Sequence, residues 1–187
     1  ASQINTGEIT QYKLKSGWNT LYAYVDREAL TLNGYDKIER ILEQTLKAPS
    51  SRNSRSTRLW VTEDKALLEH IAQMRDYGAA FVRGASAAVL VMGDSAVSDL
   101  WEVNCAISAT TLQLAVVDEG LASCWVHVND RPVKKDEPEG AKADAFLREK
   151  LGIPEGYGIL CAIALGFSDF QSADLHAYEG EERVKWL

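Results

Sequence analysis

SDLWEVNCAISATTLQLAVVDEG, residues 98–120, is the longest stretch of the chain with a helical pattern. Leu100, Val103, Ile107, Thr110 (through its methyl), Leu114, Val117 and, just past the end, Leu121 recur at alternating three- and four-residue spacing, the period that lines one side of a helix. The opposite side carries Trp101, Cys105, Leu112 and Ala115, so the helix predicted over Ser98–Glu119 is apolar nearly all round. Gly120 follows it in the position a helix C-cap prefers. A helix without a polar face is buried on every side. In a chain of 187 residues, packing it into a subunit interface is one way to achieve that.

Working outward, Ala87–Met92 (AAVLVM) predicts a continuous apolar strand ended by Gly93 and Asp94. Earlier, Ile38, Ile41, Leu42 and Leu46 give Tyr35–Lys47 a helical period, which the polar, proline-containing run Ala48–Ser54 breaks. Arg58–Thr62 reads as a strand, and Glu63–Arg75 as a helix with an acidic first turn. Beyond the long helix, Ser123–Val128 (SCWVHV) is a strand and Arg131–Gly140 a charged, proline-containing loop. Lys142–Leu151 is a short helix, and Ile159–Leu165 (ILCAIAL) a fully buried strand ended by Gly166. Helices and strands interleave, which predicts a single α+β domain over residues 1–187 with a central sheet covered on both faces. Residues 1–34 are polar and glycine-punctuated and match no element. The tail, residues 168–187, is polar until it finishes on Trp186 and Leu187, which predicts that it docks on a partner subunit.

Composition narrows the function classes. Apolar residues make up 46% and charged residues 25%, the profile of a soluble globular domain. A net charge of −7 argues against a broad nucleic-acid or anionic-membrane surface, since both need a basic field. No apolar run reaches the roughly 18 residues of a membrane span, and the N-terminus lacks a signal-peptide pattern. Cys105, Cys124 and Cys161 are far apart, each in an apolar stretch, so they read as buried free thiols in a reducing, cytoplasmic setting. His70, His127 and His176 are scattered without metal-ligand spacing, and no nucleophile and general base pair up.

Four segments in order carry a resemblance. They are Ala48-Pro-Ser-Ser-Arg-Asn53, Asn104-Cys-Ala-Ile-Ser-Ala-Thr-Thr-Leu-Gln-Leu-Ala115, Gly120-Leu-Ala-Ser-Cys-Trp125, and Leu151-Gly-Ile-Pro-Glu-Gly-Tyr157 followed by Ala162-Ile-Ala-Leu-Gly166. Together they resemble the nitroreductase family of flavoproteins: its APSxxN turn, its interface helix, its GLGSCW strand entry and its LGIPEGY…ALG ending. The resemblance implies an α+β fold with a mixed or antiparallel sheet flanked by helices. It also implies a homodimer, through the long helix, with two FMN sites at the subunit interface. In such enzymes NAD(P)H delivers hydride to the flavin, which passes electrons to a nitroaromatic, quinone or similar small-molecule acceptor. The cofactor supplies the redox chemistry while the protein orients and tunes it.

The same resemblance places flavin contacts at Pro49, Ser50, Ser51, Asn53 and Arg55, where donors and acceptors match the pyrimidine edge of the ring; Ser and Asn would equally serve a capping turn. Arg55 stands where many relatives carry Gln, and a guanidinium, which only donates, suits a negative reduced flavin. Trp125, Val126 and His127 fall on the strand that passes beside the isoalloxazine, with core packing the alternative for Trp125. Asn104 either meets the cofactor or caps and cross-links. Tyr77 and Phe81 fall either over the substrate side of the flavin or in the core. The departure is N-terminal. Trp18-Asn-Thr-Leu-Tyr-Ala-Tyr24 stands where relatives carry an RRSxRxF-like motif that grips the FMN phosphate. Thr20 keeps the hydroxyl, while Trp18, Asn19 and Tyr22 stand where arginines are expected; Asn19, Thr20 and Tyr22 are the cofactor-binding positions there. The tail offers His176, Tyr178, Arg183 and Lys185. Charge-assisted hydrogen bonds contribute about 1.5–3 kcal/mol each, so losing two or three weakens FMN unless Lys13, Lys15 or Arg52 substitutes. A second reading follows: a dimer of the same fold without tight flavin binding, serving a ligand-binding or structural role.

Overall fold

The two longest apolar runs take the middle of the sheet. A computed structural model describes residues 27–169, of which 27–36 by backbone alone. Its elements are α1 (Arg27–Leu46), β1 (Thr57–Thr62), α2 (Lys65–Gln73), β2 (Ala87–Asp94), α3 (Trp101–Asp118), β3 (Ala122–His127), α4 (Ala143–Leu151) and β4 (Tyr157–Gly166). The four strands run in the order β1-β2-β4-β3, every pair antiparallel. Ala87, Val89 and Val91 of β2 join Cys161, Ile163 and Leu165 of β4 on one face, against Ile38 and Ile41 of α1 and Cys105, Ala109, Leu112 and Val116 of α3. The alternate residues, Ala88, Leu90, Met92, Ala162 and Ala164, meet α2 and α4 on the other face. This period-two division of two continuous apolar strands is what a sheet covered on both faces requires.

One irregularity sets the geometry at the end of β4. Val91 pairs with Cys161 but Met92 pairs with Ile159, so Leu160 is an extra residue. As in other bulges, the strand bends there and two neighbours share a face: Leu160 and Cys161 both pack with α3. The Leu160 carbonyl then accepts from the N–H groups of both Val128 and Asn129, at 2.9 and 3.2 Å. That anchors the chain leaving β3.

Several boundaries differ from the sequence reading. α1 begins at Arg27 rather than Tyr35. α2 has no acidic first turn; Asp64 is its N-cap, accepting from the N–H groups of Ala66 and Leu67 at 2.8 and 3.0 Å. β2 runs on through Gly93 and Asp94. Gly93 pairs with Gly158, and the indole of Trp101, the first residue of α3, lies on this pair. A Cβ at Gly93 would stand 2.7 Å from that indole, and one at Gly158 closer still. Glycine is needed here for close approach, not to end a strand. Replacing Gly158 by Ala is therefore expected to lower the unfolding free energy by about 1–3 kcal/mol through overpacking. A urea midpoint unchanged from the parent would show that the indole shifts freely instead.

α3 ends as the sequence implies. Gly120 has φ +72°, its N–H donates to Val117 and that of Leu121 to Val116, the two bonds of a Schellman cap. Arg40 of α1 reaches the Glu119 carboxylate through two nitrogens at 2.7 and 2.8 Å, fastening the two helices. Burial on every side does not hold within one chain. Asn104, Cys105, Ser108, Ala109, Leu112 and Val116 are buried, whereas Val103, Leu114 and Val117 are 52%, 68% and 69% exposed. The side facing the sheet is thus covered and the seam of Val103, Leu114 and Val117 is open. Cys105 and Cys161 are buried free thiols, and burial pushes the Cys105 thiol up to about 12, away from nucleophilic thiolate chemistry. Among the described residues no helix is long and apolar enough to cross a membrane.

Candidate functional site

The segment between α1 and β1 is held in a conformation its own residues disfavour. Arg52, Asn53 and Arg55 have φ of +54°, +53° and +49°, and left-handed backbone costs a residue with a Cβ roughly 1–2 kcal/mol. What holds it is Asn104, fully buried in the first turns of α3. Its Oδ1 accepts from the Ser51 N–H at 2.8 Å, and its Nδ2 lies 3.3, 3.0 and 3.2 Å from the hydroxyls of Ser54, Ser56 and Ser98. Ser50 adds a bond from within, its Oγ accepting from the Arg55 N–H at 2.9 Å. Of the two roles open to Asn104, its amide takes up the cross-link. Pro49, Arg52, Asn53 and Arg55 stay exposed, with the Arg55 Nε donating weakly to Asn53 Oδ1 at 3.4 Å. Beside Pro49, a groove of about 530 Å³ opens between the end of α1 and the exposed side of α3, lined by Lys47, Thr111, Leu114 and Asp118 among others.

A second group gathers at the end of β3. Trp125 and His127, two residues apart, share a face with ring planes 11° from parallel and centroids 6.3 Å apart. Val126 points the other way into the core, 2% exposed. Trp125 packs partly on the α1/α3 layer. The His127 carbonyl accepts from Nη1 of Arg75 at 3.0 Å, and that guanidinium lies 4.6 Å above the Tyr77 ring. Burial first, then the charges of Arg131 and Arg75, hold the His127 imidazole below its ordinary pKa, with Glu102 acting against them. Glu102 itself accepts from Asn129 Nδ2 at 3.0 Å.

α3's first turns join these groups: Asn104 reaches the turn and Glu102 the segment after β3, with Trp101 on its glycine floor between them. The structure brings Pro49, Ser50, Ser51, Asn53, Arg55 and Asn104 together, and Trp125, Val126 and His127 together. It does not bring the two sets into contact. Among the described strands β1 and β3 are the outermost two, three interstrand spacings or roughly 14 Å apart. Asn19, Thr20 and Tyr22 lie outside the described residues, as do Lys13, Lys15, Trp18 and the tail from residue 170 on, with His176, Tyr178, Arg183, Lys185 and its expected docking. Of the other aromatic candidates, Tyr77 stacks under Arg75, and Phe81 packs on the core. Sequence reasoning missed Arg75, Arg131 and Glu102, whose only signal is charge next to an element end. Among the described residues no His, Cys, Asp or Glu group is arranged to hold a metal.

Comparison with known proteins bears on this arrangement. Residues 70–167 match the sequence model of the Nitroreductase family. A protein of Archaeoglobus fulgidus, provisionally named NADH dehydrogenase/NAD(P)H nitroreductase, is 31% identical over 147 residues, covering 74% of this chain and 79% of that protein. The structure of an FMN-dependent nitroreductase from Clostridium difficile R20291 matches with a TM-score of 0.73 at 31% identity, covering 81% of this chain and 86% of the other. A Desulfovibrio desulfuricans structure, provisionally named a nitroreductase and in complex with FMN, shares the fold at a TM-score of 0.62 and 20% identity, over 81% of this chain and 86% of that one.

Proposed function

The chain belongs to the nitroreductase family, and from that premise we propose that it is a homodimeric, FMN-dependent oxidoreductase. It takes hydride from NAD(P)H and delivers electrons to a nitroaromatic, quinone or similar small-molecule acceptor. The observation that carries this reading is the strained turn at Ser51–Arg55, held from below by a buried Asn104 so that Asn53 and Arg55 face outward. Strain maintained by a dedicated buried side chain is what a ligand-binding turn needs.

The residues present fit the flavin ring. Its pyrimidine edge offers carbonyl acceptors and one N–H donor; Asn53 can both donate and accept, and Arg55 donates. When bound, FMN supplies the redox chemistry, and the chain's own groups orient and tune it. The Arg55 guanidinium favours the negative charge of a reduced ring. The stacked Trp125 and His127 give the other edge of the site a flat wall, with His127 biased to its neutral form. The distance between the turn and the end of β3 within one chain supports a shared site, in which the turn of one subunit faces the β3 end of its partner. The open seam of α3, next to the groove beside Pro49, supplies the surface for that pairing.

Titrating apoprotein with FMN and with riboflavin, while following flavin fluorescence, tests the reading. Both flavins are expected to bind, riboflavin within about tenfold of FMN, because Trp18, Asn19 and Tyr22 bring no guanidinium to the phosphate; each factor of ten is about 1.4 kcal/mol. A thousandfold preference for FMN would point to Lys13, Lys15 or Arg52 as the phosphate grip. Binding of neither flavin would reject the redox enzyme and leave the flavin-free dimer.

A further inference from the structure

Arg58, the second residue of β1, turns back on the strained turn that precedes it. Its Nη1 donates to the carbonyls of Arg55 and Thr57, at 2.8 and 3.0 Å. A terminal guanidinium nitrogen carries two N–H groups, so it makes both bonds at once. Neighbouring strand residues point to opposite faces of a sheet, and the register assigns the faces here. Arg58 pairs with Met92, which lies on the α2/α4 side, whereas the Thr57 hydroxyl lies 3.1 Å from that of Ser108 on α3. The turn is therefore held from two sides. Asn104 and Ser108 tie it to α3, and Arg58 reaches it from the other face.

Arg55 is fixed at both ends. Its N–H donates to Ser50 Oγ at 2.9 Å, and its carbonyl accepts from Arg58. The next carbonyl, that of Ser56, accepts from the Asp94 N–H at 3.0 Å. With the peptides before and after it held, the Cα–Cβ direction of Arg55 is set too, at a φ of +49° that persists only where the surroundings impose it. We propose that Arg58 is a positioning residue: by bridging the carbonyls of Arg55 and Thr57 it aims the Arg55 guanidinium at the flavin, and so sets how strongly the reduced ring is favoured over the oxidised one. The consequence rests on the flavin-site reading; the clamp rests on the two hydrogen bonds alone. A guanidinium held in one orientation stabilises an anion better than one that swings among several, because no reorganisation is needed when the charge appears. Once released, Arg55 still reaches a neutral ring, so the oxidised flavin is affected less.

The test compares the parent, Arg58→Met, Arg55→Gln and the double variant, each checked for folding by circular dichroism. Should Arg58→Met fail to fold, Arg58→Gln takes its place. The first measurement is the midpoint potential of the bound flavin. Arg58→Met keeps the stem and removes the donors. It is expected to lower the ratio of reduced to oxidised flavin affinity about tenfold, a fall of about 30 mV for a two-electron couple. Arg58→Lys, whose ammonium can donate to both carbonyls, should bring the ratio back to within about threefold of the parent. In the Arg55→Gln background, Arg58→Met should change the ratio by less than about twofold, since residues acting as one unit are not additive. An equal fall in both backgrounds would mean that Arg58 acts by its own charge, and would overturn the proposal. Equal weakening of both redox states, the mark of a merely damaged turn, would overturn it as well. The second measurement is amide hydrogen exchange at Arg55 in the full chain without flavin, expected to be about tenfold faster in Arg58→Met. Unchanged exchange would overturn the clamp. Faster exchange in a chain that binds no flavin would leave the clamp standing and sink the redox reading. A flavin-loaded chain whose potential and exchange both ignore Arg58 would do the reverse.

Discussion

Replacing Asn104 by Ala is expected to lower the unfolding free energy by about 3 kcal/mol and to weaken flavin binding at the same time. The arithmetic is of hydrogen bonds, since the truncation leaves a part-buried N–H on Ser51 and the hydroxyls of Ser54, Ser56 and Ser98 without their shared partner. A buried polar group left unsatisfied costs roughly 1–3 kcal/mol. Three left-handed residues that Asn104 constrained are then free to relax, and Asn53 and Arg55 lose their outward aim. Asn104→Asp keeps an acceptor for the Ser51 N–H, and the serine hydroxyls can rotate to donate to it. It should therefore hold the turn better than Ala, despite burying a charge. Urea unfolding gives the stability, and flavin fluorescence titration gives the affinity. An Ala variant as stable as the parent, to within about half a kcal/mol, would mean that the turn holds itself.

That network also shows where sequence reading stops. The sheet was legible because AAVLVM and ILCAIAL are apolar runs of strand length, flanked by glycine, that suit a doubly covered strand, and their neighbours alternate or carry caps. Long-range side-chain bonds leave no such local period. Asn104 is 53 residues from Ser51 and 48 from Ser56, so sequence left its role divided between cofactor contact and cross-link. Gly93 read as a stop because a glycine after an apolar run usually is one; the indole that needs it comes from another element. The bulge at Leu160 was invisible for a related reason, since an extra apolar residue within an apolar run changes no pattern. The early part of α1 is interrupted by Gly34, which costs a helix about 1 kcal/mol relative to Ala, and its period does not stand out. The turn at Pro49–Arg55 and the β3 residues Trp125–His127, proposed as two halves of one site, lie at the two outermost described strands of one chain's sheet. No reading of one chain's pattern reveals that separation, because it is a property of strand order.

Leu114→Glu is expected to turn a dimer into a folded monomer that no longer retains flavin. Leu114 is 68% exposed in the single chain, so a carboxylate there meets water and the fold survives. In a twofold interface the same residue appears on both sides. One substitution then places two carboxylates within an apolar seam of Val103, Leu114 and Val117, each needing desolvation without a partner. A cost of roughly 2–5 kcal/mol weakens association by about thirtyfold to several thousandfold. Light scattering at micromolar concentration should give twice the chain mass for the parent and the chain mass for the variant, with the same circular dichroism. Leu114→Ala, which removes contact area without adding charge, should fall between them. Flavin loss in step with dimer loss is the expected result, because a site shared between two subunits does not outlast their separation; Leu114→Ala, in the same groove beside Pro49, controls for a direct effect on the turn. A variant that becomes monomeric yet keeps its flavin would place the whole site within one subunit, and a parent that is monomeric from the start would leave the seam unexplained by pairing.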